Sequence, residues 1–438
     1  MAIKILQLIA SLSLLVFIHE LGHFLFAKLF KTRVEKFYLF FNPWFSLIKF
    51  KKGDTTYGIG WLPVGGYVKI AGMIDESMDR EQMAKPPQPW EFRSKPAYQR
   101  FLIMFGGVLF NFILALVIFS MSLMHWGEEY LSIKDAKYGI YCDSLALSTG
   151  LQNGDIITKI GNKKVEKFND IMLNILIESD DRVEVLRNGE TKTILISDAV
   201  KQKMIKNGAD QMFIVPFVPF VIDSVIPGSP ASTTILQKGD RVVAINGIET
   251  PAFYDFSKTV KTFKNKKSKI SYIRNGIRQE VELTVSKEGT IGVALTSPDK
   301  IFHFEKIEYS FFESIPAGFN KGISTLGDYI KQMKLAFTPE GAKQVGGFAS
   351  IGSLFPVFWD WQIFWGMTAF LSIILAFMNI LPIPALDGGH IMFVLYEIIT
   401  RRKPSDKFLE KATLIGMAFL LTLLLFANGN DLIRFLFK

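Results

Sequence analysis

Residues 101–124 read FLIMFGGVLFNFILALVIFSMSLM and residues 363–386 read IFWGMTAFLSIILAFMNILPIPAL, two runs of 24 positions without a charged side chain. The hydrocarbon core of a bilayer takes about 20 mostly apolar residues of helix, so each run predicts a membrane span. Residues 3–30 and 411–428 are apolar enough to predict two further spans. We therefore predict a polytopic α-helical membrane protein with four transmembrane helices.

The composition agrees with a membrane protein. Of 438 residues, 49% are hydrophobic and 21% are charged, which is too apolar for an ordinary soluble domain. The net charge is +9, but the sequence contains no block of five Lys or Arg residues. A lipid bilayer is therefore the predicted partner and nucleic acid is not. The single cysteine, Cys142, excludes a disulfide framework and a cysteine-based zinc cluster. Any metal site must therefore use His and carboxylate ligands.

The distribution of Lys and Arg predicts the orientation of the spans. Residues 28–100 contain 13 Lys or Arg against 7 Asp or Glu, and residues 400–411 contain 5 against 2. Both loops should therefore be cytoplasmic, with residues 125–362 on the other side of the membrane. The first stretch could instead be a signal peptide, but it lacks a small-residue cleavage site after its apolar run. Residues 1–124 and 361–438 are thus the predicted halves of a membrane core.

An internal repeat lies between these halves. Leu151-Gln-Asn-Gly-Asp155 returns as Leu236-Gln-Lys-Gly-Asp240, and each copy continues to an Arg-Asn-Gly turn before an alternating strand pattern. The repeat predicts two tandem β-rich domains, over residues 125–212 and 213–300.

The second copy contains Pro227-Gly-Ser-Pro-Ala231 followed by LQKGDRVVAINGIET, which resembles the PDZ domain pattern. The first copy keeps only the Gly-Asp turn of that pattern. Residues 301–360 are predicted to be a linker with an amphipathic helix, which lies either at the membrane surface or packed between the second PDZ-like domain and the third span.

His19-Glu20-Leu21-Gly22-His23 is an HExxH pattern inside the first predicted span. On a helix the two His lie one turn apart on one face, so both imidazoles can reach one zinc ion, with Glu20 beside them. The alternative is three satisfied polar residues in a helix core, although a charged group at bilayer depth costs about 2.5 to 3.5 kcal/mol.

A catalytic zinc takes three protein ligands and keeps a fourth position open. Asp387 is the sole acidic residue between Asp360 and Glu397, and prolines before it and glycines after it interrupt the helix. Asp387 is therefore either the third ligand or an ordinary exposed residue at a helix end.

HExxH in a first span, with N-x-x-P-x-P-x-L-D-G-G from Asn379 in a later one, resembles the site-2 protease family of intramembrane zinc metalloproteases. Paired PDZ domains between the second and third of four spans resemble the branch of that family that regulates the sigma-E stress response. Residues 57–70 are similar to its membrane-reentrant β segment, and Gly106-Gly107 with Asn111 to its second span.

The resemblance implies a Zn²⁺ cofactor bound by His19, His23 and Asp387, with Glu20 as the general base. The predicted substrate-binding residues are Asn379, Asn111, Gly65 and Gly66. The alternating residues 57–70 could hold an extended substrate by strand addition. The two amides could instead make hydrogen bonds between helices.

The function implied by the resemblance is cleavage of transmembrane segments of single-span proteins, such as pre-trimmed anti-sigma factors and remnant signal peptides, in regulated intramembrane proteolysis. The implied location is the bacterial cytoplasmic (inner) membrane, with the active site toward the cytoplasm and the PDZ-like domains outside. Those domains would bind a peptide or a substrate ectodomain, or filter substrates by size. A catalytically inactive PDZ scaffold would instead show a damaged metal site, and a transporter would show inverted repeats among its spans.

Overall fold

The computed structural model describes residues 2–63, 65–73, 86–207 and 212–436. The chain divides into two compact units. The membrane unit comprises Met1–Gly127 and Glu308–Lys438, and the β-rich unit comprises Glu128–Ile307.

The elements are numbered along the chain. The helices are α1 (Ala2–Leu29), α2 (Ala97–Trp126), α3 (Ser144–Ser148), α4 (Asp170–Ile177), α5 (Asp198–Asn207), α6 (Phe253–Val260), α7 (Pro298–Ile301), α8 (Phe311–Ala336), α9 (Pro339–Gln344), α10 (Phe348–Ser353), α11 (Trp361–Ile380), α12 (Asp387–Thr400) and α13 (Asp406–Leu436). The strands are β1 (Val34–Leu39), β2 (Phe41–Lys52), β3 (Thr55–Leu62), β4 (Tyr67–Ile70), β5 (Glu128–Leu131), β6 (Ile140–Cys142), β7 (Ile156–Ile160), β8 (Lys163–Lys164), β9 (Arg182–Arg187), β10 (Glu190–Leu195), β11 (Ile214–Pro216), β12 (Ile222–Val225), β13 (Arg241–Ile245), β14 (Ile248–Glu249), β15 (Lys267–Arg274), β16 (Ile277–Thr284), β17 (Val293–Leu295) and β18 (Phe304–Ile307).

Four helices of the described residues are long and apolar enough to cross a membrane. They are α1, α2, α11 and Lys407–Arg434 within α13. The predicted class of polytopic membrane protein is therefore confirmed. The sequence places the third span at residues 363–386, whereas α11 ends at Ile380. The helix stops there because Pro382 and Pro384 have no backbone N–H for the helical ladder.

The first two spans approach each other closely through glycine. A Cβ on Gly22 of α1 would lie 2.9 Å from Gly107 N and would collide with the carbonyl of Gly106 on α2. Only a residue without a side chain allows the two backbones to come so close. This contact places the HExxH turn of α1 directly against α2.

A four-stranded sheet in the order β2-β3-β1-β4 follows the first span. Strand β1 pairs parallel with β3 and antiparallel with β4, with Tyr38 opposite Tyr67. The β segment predicted at residues 57–70 contains most of β3 and all of β4, which pair with opposite edges of β1, and Val64 of that range lies outside the described residues. Strand β2 carries exposed large hydrophobic side chains, namely Trp44, Phe45, Leu47, Ile48 and Phe50. That composition suits contact with lipid.

The β-rich unit repeats one topology. Its two four-stranded sheets have the orders β10-β9-β7-β8 and β16-β15-β13-β14. In each copy an ion pair joins the Gly-Asp turn to the Arg-Asn-Gly turn through a buried aspartate. The pairs are Arg187 Nε to Asp155 Oδ1 and Arg274 Nε to Asp240 Oδ1, each 2.7 Å long. The unit therefore consists of two tandem PDZ-like domains, as the repeat predicts.

Strand pairing shows which unit or copy the residues near the predicted domain boundaries belong to. Strand β11 pairs with β6 of the first copy, although the sequence assigns residues 213–300 to the second. Strand β18 pairs with β5, so the first residues of the predicted linker 301–360 belong to the β-rich unit. A boundary set by the repeat misses these strands, because they pair with partners far away in sequence.

Candidate metal centre

Helix α1 brings two imidazoles together. His19 and His23 are one helical turn apart, and their Nε2 atoms lie 3.2 Å from each other. His23 is buried, with 6% of its surface exposed. The HExxH spacing therefore produces the paired arrangement that the sequence predicts.

Asp387 reaches both imidazoles from the other end of the chain. Its Oδ2 atom lies 3.1 Å from His19 Nε2 and 3.3 Å from His23 Nε2. Asp387 is the first residue of α12, where the helix dipole favours a carboxylate. The preceding turn includes Ala385 at φ +80°, a conformation that is rare for a residue with a side chain. The structure therefore places Asp387 against the two imidazoles and not at an exposed helix end, with 14% of its side chain exposed.

The three side chains fit a zinc ion. Their ligand atoms form a nearly equilateral triangle with sides of 3.1, 3.2 and 3.3 Å. A tetrahedral zinc with bonds of about 2.0 to 2.1 Å sets its ligand atoms about 3.3 Å apart. Asp387 Oδ2 is buried and receives no hydrogen bond from the described part of the chain, so its charge is available to a cation. Within the described ranges, these are the His, Cys, Asp or Glu side chains whose ligand atoms lie close enough together, within 4.8 Å of one another, to hold one metal ion.

Helix α2 orients both imidazoles from behind. His23 Nδ1 lies 2.8 Å from the carbonyl oxygen of Ile103, which can only accept, so Nδ1 carries the hydrogen and Nε2 keeps its lone pair. Asn111 Nδ2 lies 3.2 Å from His19 Nδ1. The sequence could not reveal Ile103, because a backbone carbonyl carries no residue-specific signal.

A cavity of about 740 Å³ adjoins the three ligands. Glu20, Gly66 and Asn379 line it. Gly66 lies against α1, since a Cβ there would be 2.9 Å from Val16 Cγ1. The structure thus brings the predicted base and two of the predicted substrate-binding residues to the ligands.

The other two predicted substrate-binding residues lie elsewhere. Gly65 lies against the ring of Phe41, which a Cβ would approach to 2.8 Å. Asn111 is fully buried beside His19. Among the described residues that line the cavity, neither is present.

Several cavity residues escaped the sequence analysis. They include Lys36, Asn42 and His390, whereas Tyr67 lies in the predicted β segment 57–70. His390 had a usable signal, because it follows Asp387 by three residues on α12 and so lies on the same helix face. Lys36 and Asn42 come from the sheet, whose position beside His19, His23 and Asp387 depends on packing.

The structure combines four helices that could span a membrane with a cavity lined by His19, His23, Asp387 and Glu20. This combination is typical of a membrane-embedded metallopeptidase. The family model for Peptidase family M50 matches residues 7–423. The chain belongs to this family, the site-2 protease family, and the resemblance drawn from its motifs is confirmed.

Curated relatives cover almost the whole chain. A protein of Borreliella burgdorferi, provisionally named a zinc metalloprotease, is 30% identical over 98% of both chains. Proteins with the same provisional description are 27% identical in Rickettsia conorii, over 98% of both chains, and 26% identical in Vibrio cholerae, over 97% of both chains. A solved PDZ domain of an SdrC-like protein from Listeria monocytogenes is 24% identical and covers 20% of this chain and 98% of its own, with a TM-score of 0.17.

Proposed function

We propose that the protein is an intramembrane zinc endopeptidase that cleaves transmembrane segments of single-span proteins. The observation that carries this proposal is the triangle of His19, His23 and Asp387, two of whose members lie on α1, a helix long and apolar enough to span a membrane. Membership of Peptidase family M50 and the names of the relatives support zinc as the metal.

The chemistry follows from the side chains around the triangle. Zinc held there supplies a Lewis acid that makes water nucleophilic near neutral pH. Glu20 lines the same cavity, and its carboxylate takes a proton from the attacking water. Glu20 then returns a proton to the leaving amine nitrogen, which is the usual exchange for a general base in peptide hydrolysis.

A helical substrate must become extended before cleavage, because helical hydrogen bonds occupy its carbonyl groups. Strand β4 is an edge strand of the membrane-unit sheet, and its residues Tyr67 to Ile70 line the cavity. An extended peptide can pair with such an edge by strand addition. We propose that β4 receives the substrate, with the Asn379 amide bonding to its backbone.

The proposed location, orientation and substrates follow from the family resemblance. We place the protein in the bacterial cytoplasmic membrane, with the metal centre toward the cytoplasm and the PDZ-like domains outside. Its substrates would be pre-trimmed anti-sigma factors or remnant signal peptides within regulated intramembrane proteolysis. The PDZ-like domains would bind peptides or substrate ectodomains, or exclude large ones.

The test is cleavage of a reporter with one transmembrane segment by purified wild-type protein and Glu20→Gln, with zinc content measured in both. We expect the wild type to cleave, and Glu20→Gln to bind about one zinc while losing activity by at least about 100-fold. Glu190→Gln makes the same chemical change at an exposed position of the β-rich unit and should retain full activity.

The opposite result is equally clear. If wild type and Glu20→Gln both bind zinc but neither cleaves a panel of reporters, including pre-trimmed ones, the endopeptidase proposal fails. The inactive PDZ scaffold then becomes the better account.

A further inference from the structure

A buried amide adjoins His19 on the ring edge that faces away from Asp387. His19 Nε2 lies 3.1 Å from Asp387 Oδ2, whereas its other nitrogen, Nδ1, lies 3.2 Å from the Asn111 side chain. Asn111 is fully buried, and its Oδ1 atom has no hydrogen-bond partner among the residues that the structure describes. Such an unpaired buried oxygen needs an explanation, because leaving it unpaired costs free energy.

The metal site dictates which nitrogen of His19 carries hydrogen. Nε2 belongs to the ligand triangle, so it must present its lone pair, and the hydrogen of the neutral imidazole is then on Nδ1. An N–H group needs an acceptor, which an amide NH₂ group cannot provide. The amide oxygen of Asn111 can provide it after a half-turn of the amide, which exchanges two atoms of nearly equal size.

The position of Asn111 is fixed independently of its amide. Ser372 of α11 donates a hydrogen bond of 2.7 Å to the backbone carbonyl of Asn111. Both residues are fully buried, so the bond ties α2 to the span that precedes Asp387. The backbone of Asn111 is therefore held in place beside His19, whichever way its side-chain amide is turned.

The second histidine shows the same arrangement. His23 Nδ1 donates to the carbonyl oxygen of Ile103, also on α2. Outer hydrogen bonds of this kind fix the tautomer and ring orientation of metal-binding histidines. Helix α2 thus offers one acceptor to each imidazole.

We propose that Asn111 Oδ1 accepts the Nδ1 hydrogen of His19 and holds that ring with Nε2 toward the metal. Asn111 is then a positioning residue of the metal centre and not the substrate-binding residue that the sequence suggests. The inference rests on the proposed zinc site, but not on the proposed substrates.

The test is zinc affinity of the purified full-length protein, measured by competition with a chromogenic chelator and without substrate. Asn111→Leu removes the acceptor and should weaken zinc binding by about 10- to 100-fold. Asn111→Asp keeps an oxygen acceptor but cannot donate, so its affinity should stay within about threefold of wild type, since carboxylates serve metal-binding histidines in the same way.

Thr368→Val is the matched control. Thr368 is fully buried, donates a 2.8 Å hydrogen bond to the carbonyl of Phe364 and makes a 3.0 Å hydrogen bond with the Ser11 hydroxyl, which joins α11 to α1. This variant loses a buried polar contact of the same kind and should keep wild-type zinc affinity. Thermal unfolding of the zinc-free proteins in EDTA checks that all variants fold, and Asn111→Ala replaces the leucine variant if leucine lowers that stability.

Two results would overturn the proposal. In one, Asn111→Leu or Asn111→Ala binds zinc as tightly as Thr368→Val. In the other, Asn111→Asp is as weak as Asn111→Leu, which would mean that the amide acts as a donor. Because zinc binding is measured without cleavage, neither result depends on whether the endopeptidase proposal holds.

Discussion

At the scale of single residues, two glycines allow the close packing around the candidate metal centre. A Cβ on Gly107 would lie 2.6 Å from His19 Cε1 and 2.9 Å from His19 Nδ1. Gly22, inside the HExxH pattern, contacts the backbone of Gly106 in the same way. The positions of both imidazoles therefore depend on how closely α1 approaches α2.

Gly22→Ala should separate these two helices and disturb the centre. The added methyl collides with backbone atoms of Gly106, which cannot rotate away. A shift of about 1 Å at a reacting group can cost about 100-fold in rate, so we expect reporter cleavage to fall by about that factor. The measurement is cleavage by purified protein alongside its zinc content.

The control for Gly22→Ala is Gly366→Ala on α11. A Cβ at Gly366 meets no atom within 4 Å, and alanine also favours the helix. This variant should cleave like the wild type. If both alanine variants behave alike, close packing at Gly22 is not what positions the histidines.

At the scale of elements, α8 packs against the second span, whereas the sequence predicts a position beside the third span or at the membrane surface. Ser314, Gly318 and Gly322 recur every four residues and are buried, with Gly318 against Ser120 of α2. Phe311, Phe312 and Phe319 are among the exposed residues of the same helix. Helix α8 therefore packs on a span through its small residues and keeps an apolar surface available to lipid.

Gly318→Leu should destabilise the membrane unit. The larger side chain has no room against the Ser120 backbone, and overpacking of this kind lowers the free energy of unfolding by about 1 to 3 kcal/mol. Thermal unfolding in detergent measures the change. Gly327→Leu is on the same helix, where a Cβ meets nothing within 4 Å, and should leave the melting temperature unchanged. Equal destabilisation by both variants would mean that the small-residue face is not what holds α8.

At the scale of the whole molecule, the proposed orientation separates the β-rich unit from the loop between α12 and α13. We expect Lys287→Cys to react with a membrane-impermeant maleimide in intact spheroplasts, and Lys403→Cys to react only after lysis, because the positive loop stays cytoplasmic. Lys287 is 82% exposed, so access does not limit its labelling. The native Cys142 is buried and serves as an unreactive background. The reverse labelling pattern would invert the proposed topology.

Much of this molecule could be predicted from local sequence. Runs of apolar residues predict the four spans. The helical spacing of four residues predicts that the imidazoles of His19 and His23 lie side by side. The two Arg-Asn-Gly turns place Asn188 and Asn275 at positive φ, as hairpins with Asn-Gly require. Each of these features is set by neighbours within one element, so one element suffices to predict it.

By itself, then, the sequence determined the membrane class, the tandem repeat and the histidine pair of the candidate site. Only the tertiary structure decided that Asp387 meets His19 and His23 and is not an exposed helix end. It also placed Asn111 behind His19 and brought β4 to the cavity. The physical reason is that these contacts join residues tens to hundreds of positions apart. Their distances depend on how α1, α2 and α12 pack, and no local pattern along the chain records that packing.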